Sequence, residues 1–258
     1  MIKAIFFDID GTLLSHTTNS VPLSTIKALH ALQEKGILLF MATGRHKNEI
    51  AQLPVATLPM EGYVTINGQY CYNHHEVIYD HPIVQEDIIA LLDYMHHVHF
   101  PCLFVEEKDI YINYYNERVV DAQNAIHSPL PPLGDIYLAK DHKVYQLDPF
   151  IEEDEEEGLL KQLPHVLATR WHGDAMDLIS ADGGKHKGIL KVLEHYHLTL
   201  DEAMAFGDGE NDEEMLKCVG TSVAMGNAIE PVKDLCDHVT DDIDHDGIFK
   251  AMQHYHLL

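Results

Sequence analysis

The chain has 258 residues, 46% of them apolar, which is enough for one large domain or two smaller ones with a sizeable core. Its formal net charge of -25 and pI near 5.0 exclude nucleic acid and anionic membranes as expected partners, and any anionic ligand needs a locally positive site. Cys71, Cys102, Cys218 and Cys236 form no CxxC pair and fit no zinc spacing, and no signal peptide or membrane-spanning run is evident, so a cytoplasmic protein with reduced thiols is expected.

A first strand is expected over residues 4–8, where an apolar run ends in Asp8-Ile9-Asp10-Gly11-Thr12. Asp8 and Asp10 are two residues apart, the spacing that puts side chains on one face of a strand. Two carboxylates so close repel each other, and a hard cation such as Mg2+ is the simplest compensation. Gly11 supplies a tight turn that lets backbone approach a ligand. The pattern suits an aspartate nucleophile beside an aspartate acid/base on a metal; the plainer alternative is a polar strand-to-turn junction.

A helix follows over about 24–35, with Ser24 as N-cap, Ile26, Leu29 and Leu32 as the apolar face and Gly36 as terminator. Residues 37–42 are continuously apolar, as in a buried parallel strand, and end in Thr43-Gly44-Arg45. A third strand over 63–66 closes at Asn67-Gly68, a turn signal. The character changes after Pro82. Helices over 85–97 and 116–125 lie among short strands at 102–105, 110–113, 144–148 and 175–179, as in an inserted α+β unit spanning 82–182. The acidic run Glu152–Glu157 reads as a solvated helix start or loop. Alternation resumes near Gly183. A helix covers 186–197, a strand 203–206 ends in Gly207-Asp208-Gly209-Glu210-Asn211-Asp212, and a short helix runs to about 217. A strand at 221–225 and helices at 229–235 and 247–256 complete the chain. Alternating strands and helices argue for an α/β fold, a Rossmann-like parallel sheet covered on both faces, with ligands at the carboxyl ends of its strands. Histidines are numerous, 20 in all, and read as structural or solvated groups.

Three strand ends therefore carry distinctive polar groups: Asp8 with Asp10, Thr43, and Asp208 with Asn211 and Asp212. Lys185 and Lys187 open the helix before the last of these. In this order the segments resemble the haloacid dehalogenase superfamily, and within it the Cof-like sugar-phosphate phosphatases. Asp8-Ile-Asp-Gly-Thr-Leu is similar to the first motif, Ala42-Thr43-Gly44-Arg45 to the second, the lysine after the insert to the third, and Gly207-Asp208-Gly-Glu-Asn211-Asp212 to the fourth. The resemblance covers essentially the whole chain. It implies a discontinuous catalytic core, residues 1–81 and 183–258, and a cap of the subclass IIB kind over 82–182 that governs specificity.

The resemblance further implies a phosphatase of small phosphorylated metabolites, such as sugar phosphates or phosphorylated cofactors. Asp8 is then the nucleophile that forms an aspartyl-phosphate, and Asp10 the acid/base. Mg2+ is held by the Asp8 carboxylate, the Asp10 backbone carbonyl and Asp208. Thr43, with Gly44 and Arg45, binds the phosphoryl group, and a lysine stabilises its charge. Counting from Asp177 favours Lys185 over Lys187. Asn211 and Asp212 orient the metal shell or the lysine. Arg45 either reaches substrate or forms an ion pair, Asn67 either fixes the substrate-side loop or serves as a turn, and Trp171 either packs or stacks on substrate. A phosphomutase on the same core is the alternative enzyme, and a non-catalytic phosphate-ligand binder the alternative of another class. Oligomeric state is open.

Overall fold

The computed structural model describes residues 1–126 and 128–258. It divides into two compact units, one of Met1–Asp80 with Gly184–Leu258 and one of His81–Gly183. In chain order, the first part of the discontinuous unit holds β1 (Ala4–Phe7), α1 (Leu23–Glu34), β2 (Leu38–Ala42), α2 (Lys47–Ile50), β3 (Gly62–Thr65), β4 (Tyr70–Asn73) and β5 (Val77–Asp80). The inserted unit holds α3 (Gln85–His97), β6 (Cys102–Glu106), β7 (Ile110–Ile112), α4 (Glu117–Ala125), β8 (Val144–Pro149), α5 (Glu153–Leu160), β9 (Val166–His172) and β10 (Ala175–Ser180). The chain then returns to the first unit with α6 (Lys185–His195), β11 (Ala203–Gly207), α7 (Glu213–Cys218), β12 (Thr221–Ala224), α8 (Glu230–Leu235), β13 (His238–Val239) and α9 (Gly247–His254).

The discontinuous unit is built on one sheet of order β13-β12-β11-β1-β2-β3-β4-β5. Neighbours from β13 to β3 are parallel, and β4 and β5 are antiparallel. Its central strands are apolar at nearly every position because both faces are buried. In β1, Ile5 and Phe7 enter the layer that holds Leu29 and Leu32 of α1 and Ile248 and Met252 of α9. Ala4 and Phe6 enter the opposite layer, with Ile189 and Val192 of α6, Leu216 of α7 and Val232 of α8. The period-2 alternation repeats in β2 and β11, where Met41 and Phe206 face one layer and Phe40 and Ala205 the other. Phe6 stacks on Phe40 at 4.9 Å and Phe7 on Phe206 at 5.2 Å, locking β1 between its neighbours. The chain leaves β1 toward β2 on one side and comes back as β11 on the other. That reversal of strand order places a crevice at the carboxyl end of β1.

The inserted unit carries an antiparallel sheet of order β7-β6-β8-β10-β9. One face, with Phe104, Leu147, Met176 and Leu178, packs on Ile88, Leu91 and Met95 of α3 and Leu159 of α5.

Several local expectations are corrected. Helix α1 starts at Leu23 with Pro22 at the N-cap, and Ser24 caps nothing: its buried Oγ has no hydrogen-bond partner. Pro suits that position because its fixed φ, here -58°, is already close to helical. Strands β4, β5, β9 and β13 were not anticipated. The acidic run, by contrast, forms the expected helix start: α5 begins at Glu153 and the run is mostly exposed, with Arg118 paired to Glu152 (2.6 Å) and Glu155 (2.7 Å) and Arg170 to Glu156 (3.0 Å).

Candidate active site

The carboxyl end of β1 delivers Asp8, whose backbone N–H donates to the Phe206 carbonyl of β11 (3.0 Å). Its side chain is buried. Lys185, the first residue of α6, reaches it with Nζ and donates to Asp8 Oδ1 (2.7 Å) and Asp212 Oδ1 (2.6 Å). The lysine side chain is only 1% exposed, so its charge is neutralised by these carboxylates rather than by water. Lys187, two residues on, is exposed. The other oxygen of Asp212, Oδ2, accepts from the backbone N–H groups of Asp208 (2.9 Å) and Gly209 (3.1 Å). Asp212 thus ties the turn after β11 to the lysine, and both its oxygens are engaged.

Asp208 lies beside them, with Oδ1 accepting from the Thr12 hydroxyl (2.8 Å). Its approach depends on Gly11, which sits at φ +76°. A Cβ there would fall 2.2 Å from Asp208 Oδ2. Carboxylate oxygens of Asp8, Asp208 and Asp212 all lie within 4.8 Å of one another. Against three carboxylates stands one ammonium. Burial and the Asp212 charge push the Asp8 carboxyl well above its ordinary value, with Lys185 pulling the other way. Burial, then Asp212, pushes Asp208 up to about 7, opposed by the Thr12 hydrogen bond. Lys185 is held firmly protonated: burial disfavours its charge, but Asp212 and Asp8 together outweigh that penalty.

Asp10 has the opposite surroundings. Its carboxylate turns to Arg45, which donates from Nε (2.7 Å) and Nη2 (2.8 Å) in a two-pronged pair. Hydrogen bonding to Asp10 raises the already high Arg45 value further. Of the two roles open for Arg45, the ion pair is the one formed, although its partner is Asp10 and not a helix neighbour alone.

Thr43 is buried at the end of β2, and its Oγ1 accepts from the Arg45 N–H (3.1 Å). The 43–45 loop is held by the segment after β3. Ile66 N–H donates to the Arg45 carbonyl (3.3 Å) and Asn67 N–H to the Thr43 carbonyl (3.1 Å). Ile66 and Asn67 both have positive φ, 53° and 49°, a costly conformation for a β-branched residue such as Ile66. Gly68 then passes so close to the start of α6 that a Cβ would stand 2.2 Å from the Gly184 carbonyl oxygen. One short loop therefore braces both the Thr43 segment and the helix that carries Lys185. Gly44 faces the Asn67 amide, and Asn211 is exposed on the turn after β11.

An all-oxygen donor set with excess negative charge and a tight approach fits a hard divalent cation. The convergent carboxylates are Asp8, Asp208 and Asp212, whereas the Asp10 side chain is committed to Arg45. Thr12 is a contributor that sequence reasoning passed over, though it stands inside the first motif. Trp171 lies half-buried on edge strand β9 of the inserted unit.

A family model described as haloacid dehalogenase-like hydrolase matches residues 5–252. The chain belongs to that family. It is 34% identical over 257 residues to YkrA of Bacillus subtilis (strain 168), a candidate phosphatase by its name, covering 99% of this chain and 98% of the relative. Among solved structures it is similar to the haloacid dehalogenase subclass IIB sugar phosphatase BT4131, with TM-score 0.85, 41% identity and coverage of 99% and 100%. It is also similar to BT1666 from Bacteroides thetaiotaomicron, a phosphatase of the same superfamily, with TM-score 0.91, 32% identity and coverage of 100% and 96%. The protein is accordingly a haloacid dehalogenase-like phosphatase of the Cof type, acting on phosphorylated small molecules. Hydrolases of this family generally use a divalent metal, and an aspartate cluster able to hold one is present. Among the described residues no helix is long and apolar enough to cross a membrane.

Proposed function

We propose that the chain is a Mg2+-dependent phosphomonoesterase working through an aspartyl-phosphate on Asp8. The observation that carries this reading is the buried, under-compensated cluster of Asp8, Asp208 and Asp212 around Lys185. Asp8 and Asp208, with the Asp10 carbonyl, would hold the metal, which when bound supplies charge neutralisation for carboxylate and phosphoryl group alike. Asp212 is better read as the orienter of Lys185, since both its oxygens are already used.

The chain's own residues then divide the work. Asp8 keeps one oxygen on Lys185 and attacks phosphorus with the other, so a P–O bond to Asp8 forms as the ester P–O bond breaks. Lys185 and the Thr43–Gly44 segment stabilise charge on the phosphoryl oxygens. Asp10, once released from Arg45 and protonated from solvent, gives that proton to the leaving oxygen, then takes one from the water that cleaves the acyl-phosphate. Because the structure pairs Asp10 with Arg45, substrate entry must loosen that pair, which lets Arg45 turn to the phosphoryl group. The inserted unit selects the leaving group, and sugar phosphates or phosphorylated cofactors are the substrate class.

The test is phosphate release from a panel of small phosphate esters, with and without Mg2+, beside Asp8→Asn, with the products checked for isomerised ester. Metal-dependent release that Asp8→Asn abolishes is expected, together with acid-stable label on Asp8 in a single turnover. Isomerised phosphate ester without free phosphate would instead identify a mutase. Release that survives Asp8→Asn would rule out the nucleophile assignment.

A further inference from the structure

The loop between β12 and α8 ties together three segments: the end of β11, the turn at Gly11 and the stretch after β13. Met225 N–H donates to the Gly207 carbonyl (3.1 Å) and Ile229 N–H to the Asp208 carbonyl (3.1 Å), so the loop lies along the end of β11. Gly226 N–H donates to the Asp241 carbonyl (3.1 Å), and a Cβ on Gly226 would meet the Asp242 nitrogen at 2.4 Å. Between these anchors stands Asn227. Its Nδ2 donates to the Gly11 carbonyl (2.8 Å), 216 residues away in sequence, and its Oδ1 accepts from Ile243 N–H (3.0 Å). Asn227 is exposed overall, yet both ends of its amide are engaged.

Gly11 is the residue whose missing Cβ and positive φ allow Asp208 to close on the cluster. With no side chain of its own, it is held in place only through its backbone. Its N–H donates to the Leu14 carbonyl (3.0 Å), and its carbonyl accepts from Asn227. We infer that Asn227 is a positioning residue for the metal site, acting through the Gly11 carbonyl to keep the Asp10–Thr12 turn at the distance from Asp208 that a shared cation requires. Thr12 is carried on the same turn and donates to Asp208, so a slip of the turn moves the Asp10 carbonyl and the donor that holds Asp208 together. The Ile243 arm makes the segment after β13 the outer wall of this brace. Outer hydrogen-bonding partners of this kind change metal affinity by roughly 10–100-fold when removed.

This inference rests on the metal reading given above, and titration with MgCl2 separates the two. Binding is measured by calorimetry on the wild type, Asn227→Ala and Asn227→Ser, with melting temperatures of the metal-free proteins alongside. The expected result is a dissociation constant for Mg2+ raised about tenfold in both variants, with a smaller rise of melting temperature on adding Mg2+. Asn227→Ser keeps a small polar side chain and serves if Asn227→Ala does not fold. Variants that melt lower but bind Mg2+ within twofold of the wild type would reduce Asn227 to a structural tie and overturn the inference alone. A wild type that binds no Mg2+ would overturn the metal reading, and this inference with it.

Discussion

Asp8 and Asp10 are two residues apart, yet they sit in opposite electrical surroundings. Asp8 is buried, with 7% of its side chain exposed, and shares a single ammonium with Asp212 while Asp208 crowds in. Asp10 is 33% exposed and takes a two-pronged pair from the Arg45 guanidinium, with Glu49 farther off that group at 4.0 Å. The first site is short of positive charge and the second is balanced. A site short of positive charge recruits a cation, and it is the cation that then lets an anionic phosphoryl group approach; a balanced site is stable until something displaces its partner.

The comparison breaks most severely if Lys185 is replaced. Lys185→Met leaves buried carboxylates without their counter-ion, a change that typically costs about 3–5 kcal/mol. The variant is expected to melt far below the wild type and to lose at least about 10²–10³-fold in kcat. Melting and turnover close to wild type would mean that the cluster is not charge-limited. Asp8→Asn is next. It should abolish turnover, but raise the melting temperature of the metal-free protein by a few degrees, on the order of 1–2 kcal/mol, because it removes one repelling charge. A lower melting temperature would show that Asp8 is compensated after all.

The pH dependence sharpens the same contrast. Asp208 is raised from 3.8 to about 7 in the folded protein, and Asp8 is raised as well. Between these limits the folded state binds more protons than the unfolded chain, so stability is highest below the unfolded value and falls as pH rises toward 7. Metal-free protein should therefore melt lower at pH 7.5 than at pH 5.5. Mg2+ should reverse the trend, since it binds only the deprotonated carboxylates. Parallel melting curves with and without Mg2+ would count against the cluster as the binding site.

On the balanced side, Arg45→Ala is expected to lower kcat/KM by about 10²-fold, in the range lost when a charge-assisted contact to a reacting group is removed. A loss confined to stability would make the pair purely structural. Smallest of all, Lys187→Ala should change turnover by less than about twofold, as expected for a surface substitution. A large loss there would reassign the phosphate-stabilising lysine.

Much of this contrast was legible in the residues, and the reasons differ by element. Residues 37–42 read as a buried strand because burial on both faces leaves no polar position in β2. Three of the four polar motifs stood out because each follows an apolar run; the lysine follows Asp182-Gly183-Gly184 instead. β4 and β5 did not stand out, since Tyr70–Asn73 and Val77–Asp80 are only four residues each, end in a polar residue and are set among histidines and a turn. β13 has two residues and no pattern to detect. Lys185 could be separated from Lys187 only by counting, whereas the fold separates them by burying one and exposing the other. Least legible were the long-range ties. The Thr12–Asp208 bond spans 196 residues, and no local periodicity foretells it. The same holds for the choice of Arg45 by Asp10, which depends on the turn that presents each.

The position of β1 has a consequence for how the molecule assembles. Its neighbours are β2, close in sequence, and β11, which pairs Ala4 with Ala203 and Phe7 with Phe206. During synthesis β1 must wait for β11 before its second edge is covered, and contacts this distant slow folding. The inserted unit, whose sheet draws only on residues between Cys102 and Ser180, has no such wait. The inserted unit is thus expected to fold while the discontinuous unit still has an open, aggregation-prone sheet edge, a stage at which a chaperone would find its substrate.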